Sequence, residues 1–438
     1  MKRLVGTPLR LAAVALAIAL ALVLLGGVLG RAPEAPQIAA ESAAVTPVDR
    51  LEQTIQRSQE RLRRVPGDWH TWAALGMSYL EHARITADPT YYPKAEEAVR
   101  RSLAVKPDGN TQALVAQGAL ANARHDFAAA RGYAQAAIKT NNFHADAYAV
   151  LADAETQLGH SAAATAAVQR LLDLRPGLSA YARASYDLEQ RGLTDQASDL
   201  MRRALDAAVD HHDIAFCRNQ LGDLALNGGD LAAANAEYSA GLAAEPSSVV
   251  LQRGRARVAA MSGRTEEALS VYASLTRRAP TPSHLIEYAD LLRSVGREAD
   301  AMTQLKLAAA AHKLFTGNGG IDGLTGAALA EATGQPAMAL REARAEWSRR
   351  KHADVTDTLA WALHLSNRDA DALAYARRAN ATGTRSAVYA YHLGMIELAL
   401  GDRAAARDHL TTALQINPHF SPLDAPAARQ ALATLRSS

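Results

Sequence analysis

The densest group of side chains able to do chemistry is Asp210-His211-His212-Asp213, followed by Cys217. Carboxylate, imidazole and thiolate are the donors that zinc and other transition metals take. Such donors must converge on one point, however, and two adjacent histidines on a helix point apart. The group also falls in a turn between helical segments, so no metal site is expected. A second segment, Gly317-Asn318-Gly319-Gly320-Ile321-Asp322-Gly323, has the glycine content of a phosphate cradle. A phosphate loop requires a strand before it and a Lys-Ser/Thr pair opening the next helix, and neither is present. It reads instead as a flexible joint. Serine and histidine are scattered through helical segments without a nucleophile elbow. The sequence therefore predicts no catalytic residues, no cofactor, no metal and no enzyme activity.

The bulk composition says what kind of scaffold carries these groups. Of 438 residues, 49% are hydrophobic and only 5% aromatic, and alanine dominates the apolar share. Alanine is the best helix former, so many closely packed helices are expected. The formal charge of +2 is too near balance for a nucleic-acid surface. Cys217 is the only cysteine, so no internal disulfide can form.

At the N-terminus, Lys2, Arg3 and Arg10 precede an uncharged apolar run from Leu11 to Gly30. Its length suits a bilayer-crossing helix, which needs roughly 20 apolar residues, better than a cleaved signal with a shorter apolar core. Residues 1–31 are expected to form a signal-anchor or transmembrane helix. The basic flank places the N-terminus in the cytoplasm and the remainder of the chain outside the cell membrane, single-pass. Secretion after signal cleavage is the alternative, although the best small-residue site, Ile38-Ala39-Ala40, lies well past the run. Residues 32–47, rich in Ala, Pro, Glu and Ser, read as a linker. The high alanine and arginine usage is consistent with a bacterial export-competent protein.

Beyond the linker the chain repeats. Trp72-Ala73-Ala74-Leu75-Gly76-Met77-Ser78-Tyr79 fits the pattern W-x2-L-G-x2-Y, followed by Ala95, Val99 and Pro107. Pro246 and Pro280 stand 34 residues apart, and Pro176 and Pro418 occupy the same point of the unit. A small residue at the helix–helix contact recurs as Gly118, Ala152, Gly222, Ala256, Ala289 and Gly394. A turn glycine recurs from Gly159 to Gly401, each followed five residues later by an alanine, from Ala164 to Ala406. Tyr238, Tyr272, Leu305 and Leu410 fill the next core position.

These landmarks resemble the tetratricopeptide-repeat (TPR) family over most of the chain, from about Asp68 to Pro418. The resemblance implies an all-α, right-handed superhelical solenoid of about ten helix pairs. Its divisions are a capping helix (48–67), repeats 1–7 (68–310), a Gly-rich joint (311–323), repeats 8–10 (324–420) and a closing helix (421–438). Departures from the period at His82–Pro93 and Asp206–Asp213 read as a lengthened turn and an extended repeat. The resemblance also implies a concave groove lined by the first, or A, helix of each pair. Its inward positions carry Asp153, Tyr186, Asn219, Asp223, Arg253, Arg257, Asp290, Trp361 and Tyr391. Arg253 and Arg257, one turn apart, suit an acidic or backbone-rich partner segment. The function expected is a membrane-anchored, non-enzymatic scaffold for a protein or peptide partner on the extracytoplasmic side. The alternative is an assembly factor or chaperone for an envelope complex, of the cytochrome c maturation type. No nucleic acid and no small-molecule substrate is indicated.

Overall fold

The structure is a computed structural model that describes residues 47–436. The expected membrane or signal helix and nearly all of the linker lie outside the described residues. Within them every element is an α-helix. A leading helix, α1 (Pro47–Arg64), precedes ten helix pairs. Repeats 1–3 are α2 (Trp69–Thr86) with α3 (Tyr91–Val105), α4 (Thr111–Ala123) with α5 (Phe127–Thr140), and α6 (Ala145–Leu158) with α7 (Ser161–Leu174). Repeats 4 and 5 are α8 (Leu178–Gln190) with α9 (Thr194–Asp206), and α10 (His211–Asn227) with α11 (Leu231–Ala244). Repeats 6 and 7 follow as α12 (Val249–Met261) with α13 (Thr265–Arg278), and α14 (Pro282–Ser294) with α15 (Glu298–Gly317). Repeats 8–10 are α16 (Gly323–Ala332) with α17 (Pro336–Arg349), α18 (Ala353–Leu365) with α19 (Asp369–Asn380), and α20 (Ala387–Ala399) with α21 (Arg403–Ile416). A last helix, α22 (Asp424–Arg436), closes the array.

Each pair turns in the same way. One or two residues past the A helix, a residue takes a positive φ in all ten repeats: Gly in seven of them, and Ala87 (54°), His125 (60°) and Asn367 (56°) in repeats 1, 2 and 9. A left-handed residue ends an α-helix by letting the next N–H groups reach back to its last free carbonyls. Just downstream, side chains such as Asp126, Asp230 and Asp402 accept from the third N–H of the B helix, which fixes where it starts.

Close approach of A and B helices then sets the core. A Cβ placed on Gly76 would lie 2.6 Å from a Val99 methyl, and one on Gly394 would lie 2.8 Å from Leu410. The alanines that follow each turn, among them Ala197, Ala234, Ala268, Ala301 and Ala339, are all fully buried. Tyr238, Leu305 and Leu410 fill the space beside them. Most A helices also lie against the next A helix, so each repeat covers the apolar flank of its neighbour.

Three segments differ from the sequence reading. His82–Thr86 continues α2 for another turn of helix, and the turn itself is short, running from Ala87 to Thr90. His211 opens α10 directly, so the Asp210–Asp213 group is the start of a helix and not a turn. Residues 311–317 of the expected joint belong to α15, a 20-residue helix carried on by the alanine run 308–311. The glycines after it are held in place: Gly320 sits against the Phe315 ring, where a Cβ would come within 2.3 Å.

The tightest helix contact gives a direct test. Gly222 faces the Tyr238 ring, with 2.3 Å available to an added Cβ, whereas Gly132 on α5 has nothing within 4 Å. Overpacking a core costs about 1–3 kcal/mol, more than the roughly 1 kcal/mol that alanine gains over glycine in a helix. Gly222→Ala should therefore lower the urea midpoint and Gly132→Ala should raise it. Equal shifts for the two would show that the Tyr238 contact is slack.

Candidate functional site

The nine inward residues proposed from sequence all fall on A helices, but most of their polar side chains are already engaged within the array. Tyr186, Asn219, Arg253, Asp290, Trp361 and Tyr391 are buried, and Asp153, Asp223 and Arg257 are half-buried. Rungs of polar contact join successive A helices. Arg183 on α8 donates twice to Asp153 on α6, both at 2.8 Å. Arg257 on α12 reaches back to Asp223 on α10 at 3.0 Å, while Arg253 on the same helix makes a two-pronged contact with Glu287 on α14, its Nε at 2.8 Å. Further along, the Trp361 indole donates to Glu331, Tyr389 donates to Asp354, and His392 meets Asp357 at 2.8 Å. From the B helices, Tyr238 and Tyr272 close over Asp223 and Glu287 at 2.8 and 3.0 Å.

The charge states follow from these contacts. Burial opposes ionisation of Glu287, but the adjacent Arg253 guanidinium outweighs it and holds the carboxyl down at about 2. Asp290 is pushed well above the carboxylate range by burial, opposed by Arg293 and reinforced by the nearby Asp424 and Glu331 carboxylates. Arg253 and Arg257, expected to meet a partner, are thus already paired. Removing one member of such a buried pair leaves an uncompensated charge, at a cost of about 3–5 kcal/mol. A partner using them would meet that cost first.

A second set of contacts was not legible in the sequence. The superhelix comes round far enough for one turn to rest on the next. The A–B turns of repeats 2–5 meet the loops after repeats 7–10, at separations of 191–194 residues for the side-chain bonds. Ile321 donates its N–H to the Arg124 carbonyl at 2.8 Å, and Lys351 donates to that of Leu158 at 3.1 Å. Beside them Arg350 donates to Gln157 at 2.8 Å, Thr384 to the Gln190 carbonyl at 2.7 Å, and Asn417 to the Leu226 carbonyl at 2.8 Å. At the first of these places Phe315 lies edge-on to Tyr92 and 5.2 Å from the His125 ring, and the Arg350 guanidinium stands 5.0 Å over Phe127. The supposed flexible joint is therefore one of the contact points between turns.

Between the turns lies a cavity of about 350 Å³. Tyr186 and Glu189 on α8, Arg257 on α12, and Asp354 and Tyr389 on α18 and α20 are among the residues that line it. Of the nine expected residues only Tyr186 and Arg257 line it. Burial, reinforced by the Asp223 carboxylate and opposed by a hydrogen bond from Asn227, raises Glu189 to about 7. The Tyr186 side chain, 6% exposed, has no hydrogen-bond partner among the described residues. The Asp210–Cys217 group is elsewhere and committed: His212 faces Glu245 at 3.3 Å and Arg84 at 3.0 Å, and burial pushes the Cys217 thiol up to about 12. Among the described residues no set of side chains converges as metal ligands would.

Two outcomes follow. Removing the Arg350 and Asn417 side chains (Arg350→Ala with Asn417→Ala) should increase the radius of gyration in X-ray scattering while leaving helical dichroism intact. An unchanged scattering profile would mean that the turns are held by other contacts. Glu189 binds its proton more tightly folded than unfolded, so its contribution falls as pH rises from about 4.5 to about 7 and stays unfavourable above. Glu189→Gln should hence stabilise the chain by roughly 2 kcal/mol near pH 8, allowing for the cavity's access to water, and much less near pH 5. Thermal melts at the two pH values measure the difference.

No protein-family model matches the chain, and no curated protein matches it. Solved structures similar to it include a tetratricopeptide repeat protein from Parabacteroides merdae, at 17% identity over 59% of this chain and 98% of that one, TM-score 0.36. The APC/C hetero-tetramer Cut9–Hcn1 is similar at 13% identity over 90% of this chain and 97% of the other, TM-score 0.40. The TPR domain of P58(IPK) is similar at 13% identity over 75% and 98%, TM-score 0.24. At such identities and scores the likenesses carry no argument about shape or partner. The repeat geometry itself describes the chain: an all-helical solenoid of tetratricopeptide-like repeats.

Proposed function

We propose that this chain is a non-enzymatic scaffold that holds a protein or peptide partner outside the cytoplasmic membrane, tethered by the apolar run at its N-terminus. The observation that carries this reading is the economy of the fold. Ten helix pairs and two end helices account for residues 47–436, and a stacked array of this kind offers extended surface and little else. The tether rests on sequence alone, on the uncharged run from Leu11 to Gly30 behind Lys2, Arg3 and Arg10. Among the described residues no helix is long and apolar enough to cross a membrane.

Cross-linking in intact cells, followed by purification of the full-length chain and mass spectrometry, tests the reading. One dominant envelope protein recovered in fixed ratio is the expected result. A broad set of clients bound briefly would favour the assembly-factor alternative, and recovery of no protein at all would sink both. Protease added to unbroken spheroplasts should digest the repeat body, and protection from it would overturn the extracytoplasmic placement.

A further inference from the structure

The cavity between superhelical turns is a place where the inner face is not closed by its own side chains. Five carboxyl groups line it against three guanidiniums, so once Glu189 is ionised its net field favours a cation. Most of these charges are already matched. Arg257 holds Asp223, Arg218 holds Glu237, Arg202 at the mouth holds Asp199, and His352 lies 3.3 Å from Asp354. Asp230 caps α11. Glu189 has no cation of its own. Asp223 and Asn227 from α10 and Asp354 from α18 act on it, while Arg257 from α12, Tyr389 from α20, Asp195 from α9 and Arg385 from the loop before α20 share the cavity lining with it. The first of these, together with burial, is what keeps its proton on near neutrality. Tyr186, one helical turn before it, presents a hydroxyl that nothing in the described chain uses. That hydroxyl lines the cavity, and a carboxylate with a spare acceptor beside it is the complement of a hydrogen-bond donor carrying positive charge.

We propose that this cavity is a binding site for a small organic cation, an alkylammonium or guanidinium group, held by the Glu189 carboxylate with the Tyr186 hydroxyl accepting a second hydrogen bond. The Tyr186 and Tyr389 rings add faces on which a cation is attracted. The volume falls within the range of pockets that hold small ligands, which begins at about 300 Å³. The group comes either from a free amine or from a lysine or arginine side chain of a bound peptide. In the second form the inference rests on the scaffold reading, and in the first it does not.

Binding a cation requires Glu189 to ionise, so occupancy and proton release are coupled. Below the pKa of Glu189 the site must give up a proton for each ligand, and above it none.

The test is titration calorimetry on the full-length chain in mild detergent, with agmatine as probe, in two buffers of different ionisation heat. Near pH 6 close to one proton should be released per agmatine bound, and near pH 8.5 almost none. Glu189→Gln should weaken agmatine roughly tenfold or more and abolish the coupling. Tyr186→Phe should weaken it several-fold and keep the coupling, which a merely structural role for the cavity would not do. Glu97→Gln, on an exposed ion pair far from the cavity, should change neither. A second arm uses an extended arginine-containing peptide and the same peptide with citrulline in that place. Discrimination against citrulline identifies a side-chain source, and binding of agmatine alone identifies a free amine. If folded wild-type chain binds neither probe, or binds agmatine without proton release near pH 6, the inference is overturned. A chain that binds neither probe yet retains its cross-linked partner keeps the scaffold reading and loses only this one. Probe binding without any recovered partner does the reverse.

Discussion

The close approach of the two helices within each repeat is the constraint on which everything else rests. It needs a residue of positive φ to turn the chain sharply and a small residue to let the second helix lie down on the first. Both requirements are met in every pair. Where glycine is missing from the turn, Ala87, His125 and Asn367 adopt the left-handed conformation regardless, although it costs a non-glycine residue of order 1 kcal/mol. Stacking in repeats 1, 2 and 9 is strong enough to impose it. With the pair geometry fixed, neighbouring pairs have little freedom in how they stack. The rotation accumulated over successive repeats then decides where the chain meets itself again.

The inner face shows how a solenoid with so few aromatics still defines its curvature. Alanine-rich contacts are smooth and supply little registration between one pair and the next. The bidentate pairs Arg183–Asp153 and Arg253–Glu287 supply it, because a guanidinium and a carboxylate meet well in only one orientation. Such pairs contribute little net stability once desolvation is counted. Their value is in fixing the angle between adjacent A helices.

How much of this was legible depended on the range of the signal. The all-helical repeat solenoid was legible, because Gly222, Ala234, Tyr238 and their counterparts recur within a single unit. The pairing of Arg253 with Glu287 was legible in principle, since opposite charges stand one repeat apart at 34 residues. Reading each inward position alone hid that complementarity. The lengthened α15 was obscured by the glycines after it, which drew attention from the alanine run that carries the helix on. The contacts between turns left no local trace. They bring together backbone carbonyls such as Gln190 and Leu226 with Thr384 and Asn417, nearly two hundred residues away, and a carbonyl is the same in every residue. Cavity and clasp are consequences of superhelical pitch, which no single repeat encodes.

An open array of repeats is a one-dimensional chain of neighbours, and its ends fray independently of its middle. Joining repeats 2–5 to the loops after repeats 7–10 adds a second direction of coupling. The body becomes a small cylindrical lattice in which losing one repeat strips support from another five positions along. The same feature orders the birth of the protein. Each helix pair can form from local contacts as soon as it is synthesised, but the seam between turns has very high contact order. Its last stitch, Asn417 on Leu226, waits until repeat 10 has been made. Until then the first half of the coil stands complete but unsealed.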